Sequence, residues 1–298
     1  MLINATNLDF LYTTLSAGYR DGFAGVTPMW DRVATMAPSG GRTQAYTWLG
    51  QFPLLREWLG ERQVKSLEAL AYTLTNKKFE ATVSVPRDDI EDDVWQTYAS
   101  LSKEYGRAAA THPDLEIFGK LQTGATDLCY DGQPFFSANH PVGIEGQTPI
   151  ALASNIQTGS SPRWYLLDTT RALKPMLYQK RSDYQFVSKL DPQSSDHVFM
   201  TDEFLYGIRG RMAPGYGFWQ MAFQSAAPVT AANVTAAYTA MTQLQSNEGR
   251  KLGLKPNLML CGPSTYFAAR ALIKAQMINA TSNTLYELVE VVNVPYLD

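Results

Sequence analysis

Between residues 51 and 85 the chain carries an excursion that a self-contained globule cannot easily accommodate: Phe52, Pro53, Leu54, Leu55, Trp58 and Leu59 cluster among charged residues, with strand-like runs on either side. On one flank, residues 43–49 can place Ala45, Thr47 and Leu49 on one face and Tyr46 and Trp48 on the other. On the other, residues 79–85 alternate apolar and polar at every step, the two-residue period of a half-buried strand. Two such runs joined by about thirty residues read as a long hairpin arm, because a connection of that length inside a compact domain is usually an interaction element. An apolar arm needs a partner surface. The segment is therefore expected to bury itself against another copy of the same chain.

The rest of the chain narrows the alternatives. Its 298 residues suffice for one large or two ordinary domains. With 25 Lys plus Arg against 28 Asp plus Glu, a net charge of −3 and no long basic run, sequence-specific nucleic-acid binding is disfavoured. The two cysteines, Cys129 and Cys261, are far apart and lack metal-ligand spacing, so neither a disulfide framework nor a zinc site is expected, and a reducing compartment is the default. The first seven residues lack a basic region followed by an apolar core, and no run of 18 apolar residues occurs; neither general-route secretion nor membrane spanning is expected.

Periodicity predicts an α+β chain. Leu8, Leu11, Tyr12 and Leu15 recur at helical spacing until Gly18, Gly22, Gly25 and Pro28 interrupt it, which reads as a short helix on an extended arm. Val94, Tyr98, Leu101, Tyr105 and Ala108 form the stripe of a long amphipathic helix expected to end at His112–Pro113, with a second helical stretch through Leu115, Phe118 and Leu121. Residues 124–158 read as loop and short strands, 164–177 as a helix, 184–190 as a strand, and 198–211 as strands. A helix over 231–252 with Val234, Tyr238, Met241 and Leu244 on one face, a strand at 257–261, a helix from Pro263 to Lys274 and a strand at 288–294 complete the pattern.

Candidate chemistry is thin. Asp88, Asp89, Glu91, Asp92 and Asp93 invite a metal reading, but acids at a helix start are stabilised by free N–H groups and the macrodipole, by roughly 0.3–1 kcal/mol each. No histidine stands nearby to complete a transition-metal shell; a hard cation at a subunit contact stays open. Cys129, Asp131 and His140 could form a thiol nucleophile, an orienter and a base, yet the spacing matches no protease signature. His112 and His197 sit at ordinary boundary positions, and Gly215–Gly217 lacks the strand, lysine and helix of a phosphate loop. No catalytic, cofactor-binding or metal site is expected.

Several blocks in order carry a resemblance: Phe52-Pro53-Leu54-Leu55-Arg56-Glu57-Trp58-Leu59-Gly60-Glu61-Arg62, Phe79-Glu80-Ala81-Thr82-Val83, Asp88-Asp89-Ile90-Glu91-Asp92-Asp93, Gly106-Arg107-Ala108-Ala109-Ala110-Thr111-His112-Pro113, Cys129-Tyr130-Asp131-Gly132-Gln133, Phe135-Phe136, His140-Pro141-Val142 and Gly217-Phe218-Trp219-Gln220-Met221-Ala222. Over nearly its whole length the chain resembles the major head subunits of Mu-like tailed phages. The resemblance implies the Hong Kong 97-type capsid fold, with an N-terminal arm (1–42), an extended β-hairpin loop (43–86), a spine helix and peripheral domain (87–159, the helix over 88–123), a mainly axial domain (160–255) and a return segment of strands and helix (256–298). It implies hexamers and pentamers forming an icosahedral shell around packaged double-stranded DNA contacted non-specifically, assembled in the host cytoplasm with a separate scaffold, a portal and a decoration protein, and no membrane or cofactor. Lys65, Lys77 and Lys78 lie in or near the loop, but nothing in the sequence establishes cross-linking. The expected contact residues are Phe52, Leu54, Leu55, Arg56, Trp58, Leu59 and Arg62 on the hairpin and Val94, Tyr98, Leu101 and Tyr105 on the spine helix, with Arg56 or Arg62 against acids near Asp88 setting register more than affinity. The rivals are an encapsulin-like compartment, a ring-forming tail component, and a hydrolase using Cys129 and His140 or a metal at 88–93.

Overall fold

A computed structural model describes residues 2–47, 49, 72–92, 94, 96–142, 151–189, 196–245, 251–278 and 280–298. Helix α1 (Ala5–Ala24) starts at Asn4, whose side chain accepts the Asn7 N–H at 2.8 Å. Strands β1 (Ala34–Pro38) and β2 (Thr43–Tyr46) follow, then β3 (Tyr72–Thr75) and β4 (Lys77–Pro86). The hairpin differs from expectation in its second leg: β2 pairs with β3, while residues 79–85 belong to β4 and pair elsewhere. Asn76 makes the division. It is 7% exposed, and its amide donates to Ser39 Oγ and the Gly41 carbonyl, both at 2.9 Å, which fastens the break between the strands.

A five-residue helix, α2 (Arg87–Glu91), precedes the long helix α3 (Gln96–Gln122). Two breaks expected from sequence do not occur. Helix α1 runs through Gly18 and Gly22, because there α3 closes onto it backbone to backbone: a Cβ on Gly22 would overlap the Lys103 carbonyl, and one on Gly106 would overlap that of Tyr19. These glycines are contact surface rather than interruption. Ser102 Oγ, donating to the Leu15 carbonyl at 2.6 Å, ties the same crossing. Helix α3 likewise passes through Pro113. Proline inside a helix costs about 3 kcal/mol, but burial of Ile117, Phe118 and Leu121 one to two turns later offsets it. Asp114, also buried, accepts the backbone N–H groups of Met29 (2.9 and 3.0 Å) and Trp30 (2.6 Å), pinning the chain after α1 to this point.

Beyond α3 come β5 (His140–Val142) and β6 (Ala151–Ala153), which pair with each other, then β7 (Ile156–Gln157), β8 (Trp164–Leu167), β9 (Met176–Lys189), α4 (Asp196–Thr201), β10 (Glu203–Tyr216), β11 (Ala222–Ser225) and α5 (Ala231–Gln243). The chain ends with β12 (Leu258–Cys261), α6 (Pro263–Lys274), the small hairpin β13 (Met277–Ile278) and β14 (Thr281–Ser282), and β15 (Glu290–Asn293). A four-stranded sheet runs β1-β9-β10-β4, antiparallel except for the parallel β1–β9 pair, with β10 matched to β4 from Glu203↔Pro86 to Met212↔Lys77. A five-stranded mixed sheet runs β15-β12-β8-β11-β7.

The main core forms where the two sheets and the C-terminal end of α3 converge: Ile117, Phe118 and Leu121 meet Met176, Leu177 and Tyr178 of β9, Met212 and Tyr216 of β10, and Tyr165, Leu167, Leu258 and Leu260 from one face of the five-stranded sheet. The other face of that sheet, Trp164, Leu166, Phe223, Met259 and Cys261, packs on Val234, Ala237 and Met241 of α5 and Ala269 and Ile273 of α6.

Double-sided burial explains why the predicted helix over 164–177 is instead β8, a turn and the start of β9. A strand apolar on both faces shows no alternation, and its run of Trp164, Tyr165, Leu166 and Leu167, all 0% exposed, mimics a buried helix. The helix expected over 231–252 stops at Gln243. Residues 160–255 contribute to both sheets: β9 and β10 to the long one, β8 and β11 to the shorter.

Replacing Gly106 by valine is expected to force α1 off α3 and lower unfolding free energy by at least about 3 kcal/mol. Gly119→Ala, in the same helix but with open space around the site, should stabilise by about 0.5–1 kcal/mol. Urea denaturation of the two variants checks the pair.

Candidate assembly surface

The described legs of the hairpin are held by a root of buried hydrogen bonds. Tyr46 Oη donates to Gln179 Oε1 at 2.8 Å, and the Gln179 amide donates to Asn76 Oδ1 at 2.7 Å and the Leu74 carbonyl at 3.3 Å. Burial pushes the Tyr46 phenol up to about 12, so it stays a neutral donor. On the far side, Tyr72 Oη accepts the Tyr216 N–H at 3.0 Å. Two strands of the long sheet, β9 through Gln179 and β10 through Tyr216, are thus wired to the legs of the hairpin. Of the expected hairpin contacts, Phe52, Leu54, Leu55, Arg56, Trp58, Leu59 and Arg62 lie outside the described residues, as does Lys65. Leu49, at the start of the excursion, is buried in the main core.

The spine positions divide. Val94 precedes α3 and is 46% exposed, and Leu101 is 40% exposed. Tyr98 and Tyr105 are half-buried against the sheet, and Tyr98 Oη donates to Asp89 Oδ2 at 2.5 Å. In the first half of α3, before Pro113, the buried face is the small-residue one, Ser102, Gly106, Ala109 and Ala110, which pattern reading passed over because it looks for large apolar side chains. Sequence also gave no signal for a groove of about 710 Å³ between α1 and the far half of β9, walled by Tyr12, Tyr19, Phe23, Trp30, Tyr184 and Phe186. It lies where β1 has ended: β1 pairs with β9 only from Met176 to Lys180, so among the described residues β9 has a free edge on that side from residue 181 onward.

The chemical candidates fold into structural roles. Asp88 and Asp89 occupy the first turn of α2, Arg87 bridges Glu91 (3.0 Å) and Asp202 (3.4 Å), and Asp93 lies outside the described residues. His112 Nδ1 lies 2.5 Å from Tyr184 Oη, and burial lowers its proton affinity. The His197 side chain lies outside the described residues. Cys129, Asp131 and His140 do meet, but not as a nucleophile and its base. The thiol donates to Asp131 Oδ1 at 3.0 Å, burial pushes its proton affinity up, and His140, 0% exposed, has both ring nitrogens engaged, by Asp131 at 2.7 Å and Asn155 at 3.2 Å.

A long helix packed on a four-stranded sheet, a two-stranded hairpin rooted beside that sheet and a second sheet backed by two helices together define a Hong Kong 97-type capsid subunit. The chain superposes on the subunit in a procapsid of bacteriophage JBD30 with a TM-score of 0.87 and 38% identity, covering 99% of this chain and 100% of that one. It is 37% identical to the major capsid protein of Escherichia phage Mu over 289 residues, 95% of this chain and 94% of that protein, and 36% identical to the Mu-like prophage FluMu major head subunit of Haemophilus influenzae over 90% of this chain and 88% of that one. A sequence model of the Mu-like prophage major head subunit gpT matches residues 8–297, and the chain belongs to that family. It is a viral structural protein of the tailed-phage virion head.

Gln179→Ala should cost roughly 3 kcal/mol, since it removes the buried hydrogen bond from the Tyr46 hydroxyl, strands the Asn76 carbonyl in the core and leaves a void. Thr43→Ala, which removes only the exposed Thr43–Thr75 hydroxyl pair (3.1 Å), should stay within about 0.5 kcal/mol. Chemical denaturation of both variants distinguishes a buried root from a surface turn.

Proposed function

We propose that the subunit assembles into hexamers and pentamers of a closed shell around packaged double-stranded DNA, with the segment between β2 and β3 as the clasp that one subunit lays on its neighbour. The observation that carries this reading is the root: a buried Tyr46–Gln179–Asn76 chain fixes both legs of the hairpin on the long sheet. An apolar segment delivered from a rigid base loses less entropy on docking than a free loop. The receiving surface offers exposed Val94 and Leu101 near α3, and exposed Phe10 on α1. Phe52, Leu54, Leu55, Trp58 and Leu59 supply the apolar contact, while Arg56 and Arg62 set register against acids near Asp88.

In this reading α3 and the long sheet form the peripheral domain, and the five-stranded sheet with α5 and α6 forms the axial domain nearest the capsomer centre. Residues 160–255 then serve both, β9 and β10 peripherally and β8, β11 and α5 axially. The net charge of −3 limits adhesion to the genome. A scaffold, a portal and a decoration protein complete the assembly, and the subunit performs no catalysis.

Trp58→Asp tests the clasp. The variant should keep the circular dichroism of the wild-type subunit and form no particles in sedimentation, because it places a charge in an apolar contact. Normal particles from this variant would remove the segment from the assembly mechanism.

A further inference from the structure

His140 is enclosed by groups that leave little choice about its protons. Asn155 lies between β6 and β7, and its Nδ2 donates to the carbonyls of Phe135 (2.8 Å), Trp219 (3.2 Å) and Ala222 (3.2 Å). Those three acceptors fix the amide's orientation, and its Oδ1 correspondingly accepts the Ser137 N–H at 2.8 Å. His140 Nε2, 3.2 Å from the same oxygen, must therefore carry a proton. On the other side Nδ1 lies 2.7 Å from Asp131 Oδ2, while Asp131 Oδ1 accepts the Gln133 N–H and the Cys129 thiol, each at 3.0 Å. Burial disfavours the Asp131 charge, but hydrogen bonds from His140 and Cys129 outweigh it and hold the carboxyl below its ordinary range.

A carboxylate and a bare ring nitrogen at 2.7 Å repel unless a cation lies between them. Two ligands about 2.0 Å from a tetrahedral metal stand roughly 3.3 Å apart; the shorter separation here fits a shared proton. The Trp219 indole completes the enclosure, stacked on the imidazole with centroids 3.9 Å apart and planes 5° from parallel, the arrangement in which an aromatic face attracts a cation.

We infer that His140 is held as a buried imidazolium, ion-paired to Asp131, hydrogen-bonded to Asn155 and seated on Trp219, and that this charge clasps the turn after α3 to the junction between the two sheets. The location supports the role. Tyr216 ends β10, Ala222 begins β11, and Trp219 occupies the helical turn between them, so the clasp joins three chain segments where the long sheet hands over to the five-stranded one. The groups facing the ring among the described residues are the Asp131 carboxylate and Cys129 thiol from the turn, the Asn155 amide and the Trp219 face. Tyr130, nearby in sequence, turns its hydroxyl to Gln220 instead. Loss of either ring proton leaves a lone pair facing an oxygen, so the clasp holds only while the ring is charged.

The chain has three histidines, which makes the ring nitrogens tractable. In subunits labelled with ¹⁵N-histidine at pH 7.5, one residue should show both ring nitrogens protonated, and that signal should persist in His112→Gln and His197→Gln variants, which assigns it without altering His140. In thermal unfolding, His140→Gln and Asp131→Asn should each lower the midpoint, and the double variant should fall short of the sum, since a lone buried charge is worse than none. A neutral His140 at pH 7.5, a stoichiometric bound metal by elemental analysis, or strict additivity would each overturn the inference. The measurement uses the subunit itself and does not depend on shell formation.

Discussion

Burial of both faces of the five-stranded sheet is the constraint on which the rest of the molecule rests. One face of β8 and β12 meets the end of α3 and the near ends of β9 and β10, and the other meets α5 and α6. Fully desolvated aromatic and branched side chains at Trp164, Tyr165, Leu166 and Leu167 make this the part of the chain with most to lose on opening. Everything more extended is cantilevered from it. The long sheet leaves this core at Met176 and Tyr216 and changes character on the way out, from strands buried on both sides to the alternating exposure of Lys180–Val187 in β9. The far end needs a core of its own, which α1 supplies through Leu8, Leu11 and Leu15.

That architecture explains how a shell subunit can be rigid where it must transmit geometry and open where it must bind. At the crossing of α1 with α3 the backbones touch at Gly22 and Gly106 and Ser102 bonds the Leu15 carbonyl, so the two helices are held in a close, fixed register. The hairpin springs from the sheet through a buried polar chain in which each donor has an acceptor, an arrangement that tolerates little variation in angle. Exposed Val94 and Leu101 and the aromatic groove beside β9 are instead uncovered among the described residues.

Much of the fold was legible because its elements announce themselves by period or by stop signals. Gly262–Pro263 opens α6, the alternation of residues 79–85 marks β4, and the acids at 88–89 mark a helix start. The misreadings share one physical cause: local signals describe isolated segments, and packing overrode them. Gly18 and Gly22 read as breaks because their contact with Lys103 lies about eighty residues away in sequence, beyond any local window. Pro113 read as a terminus because its penalty is local while the burial that offsets it is not. Asn76 carries no pattern at all until Ser39, Gly41 and Gln179 surround it.

By itself the sequence determined the family, the α+β class and the apolar composition of residues 52–59, since ordered blocks and composition survive without knowledge of contacts. Only the tertiary structure decided which strands pair, that α1 and α3 meet through glycine, and that Cys129, Asp131 and His140 form a closed structural cluster rather than a reactive one. Those outcomes depend on which groups share a buried volume, and long-range desolvation and hydrogen-bond pairing leave no periodic trace along a chain.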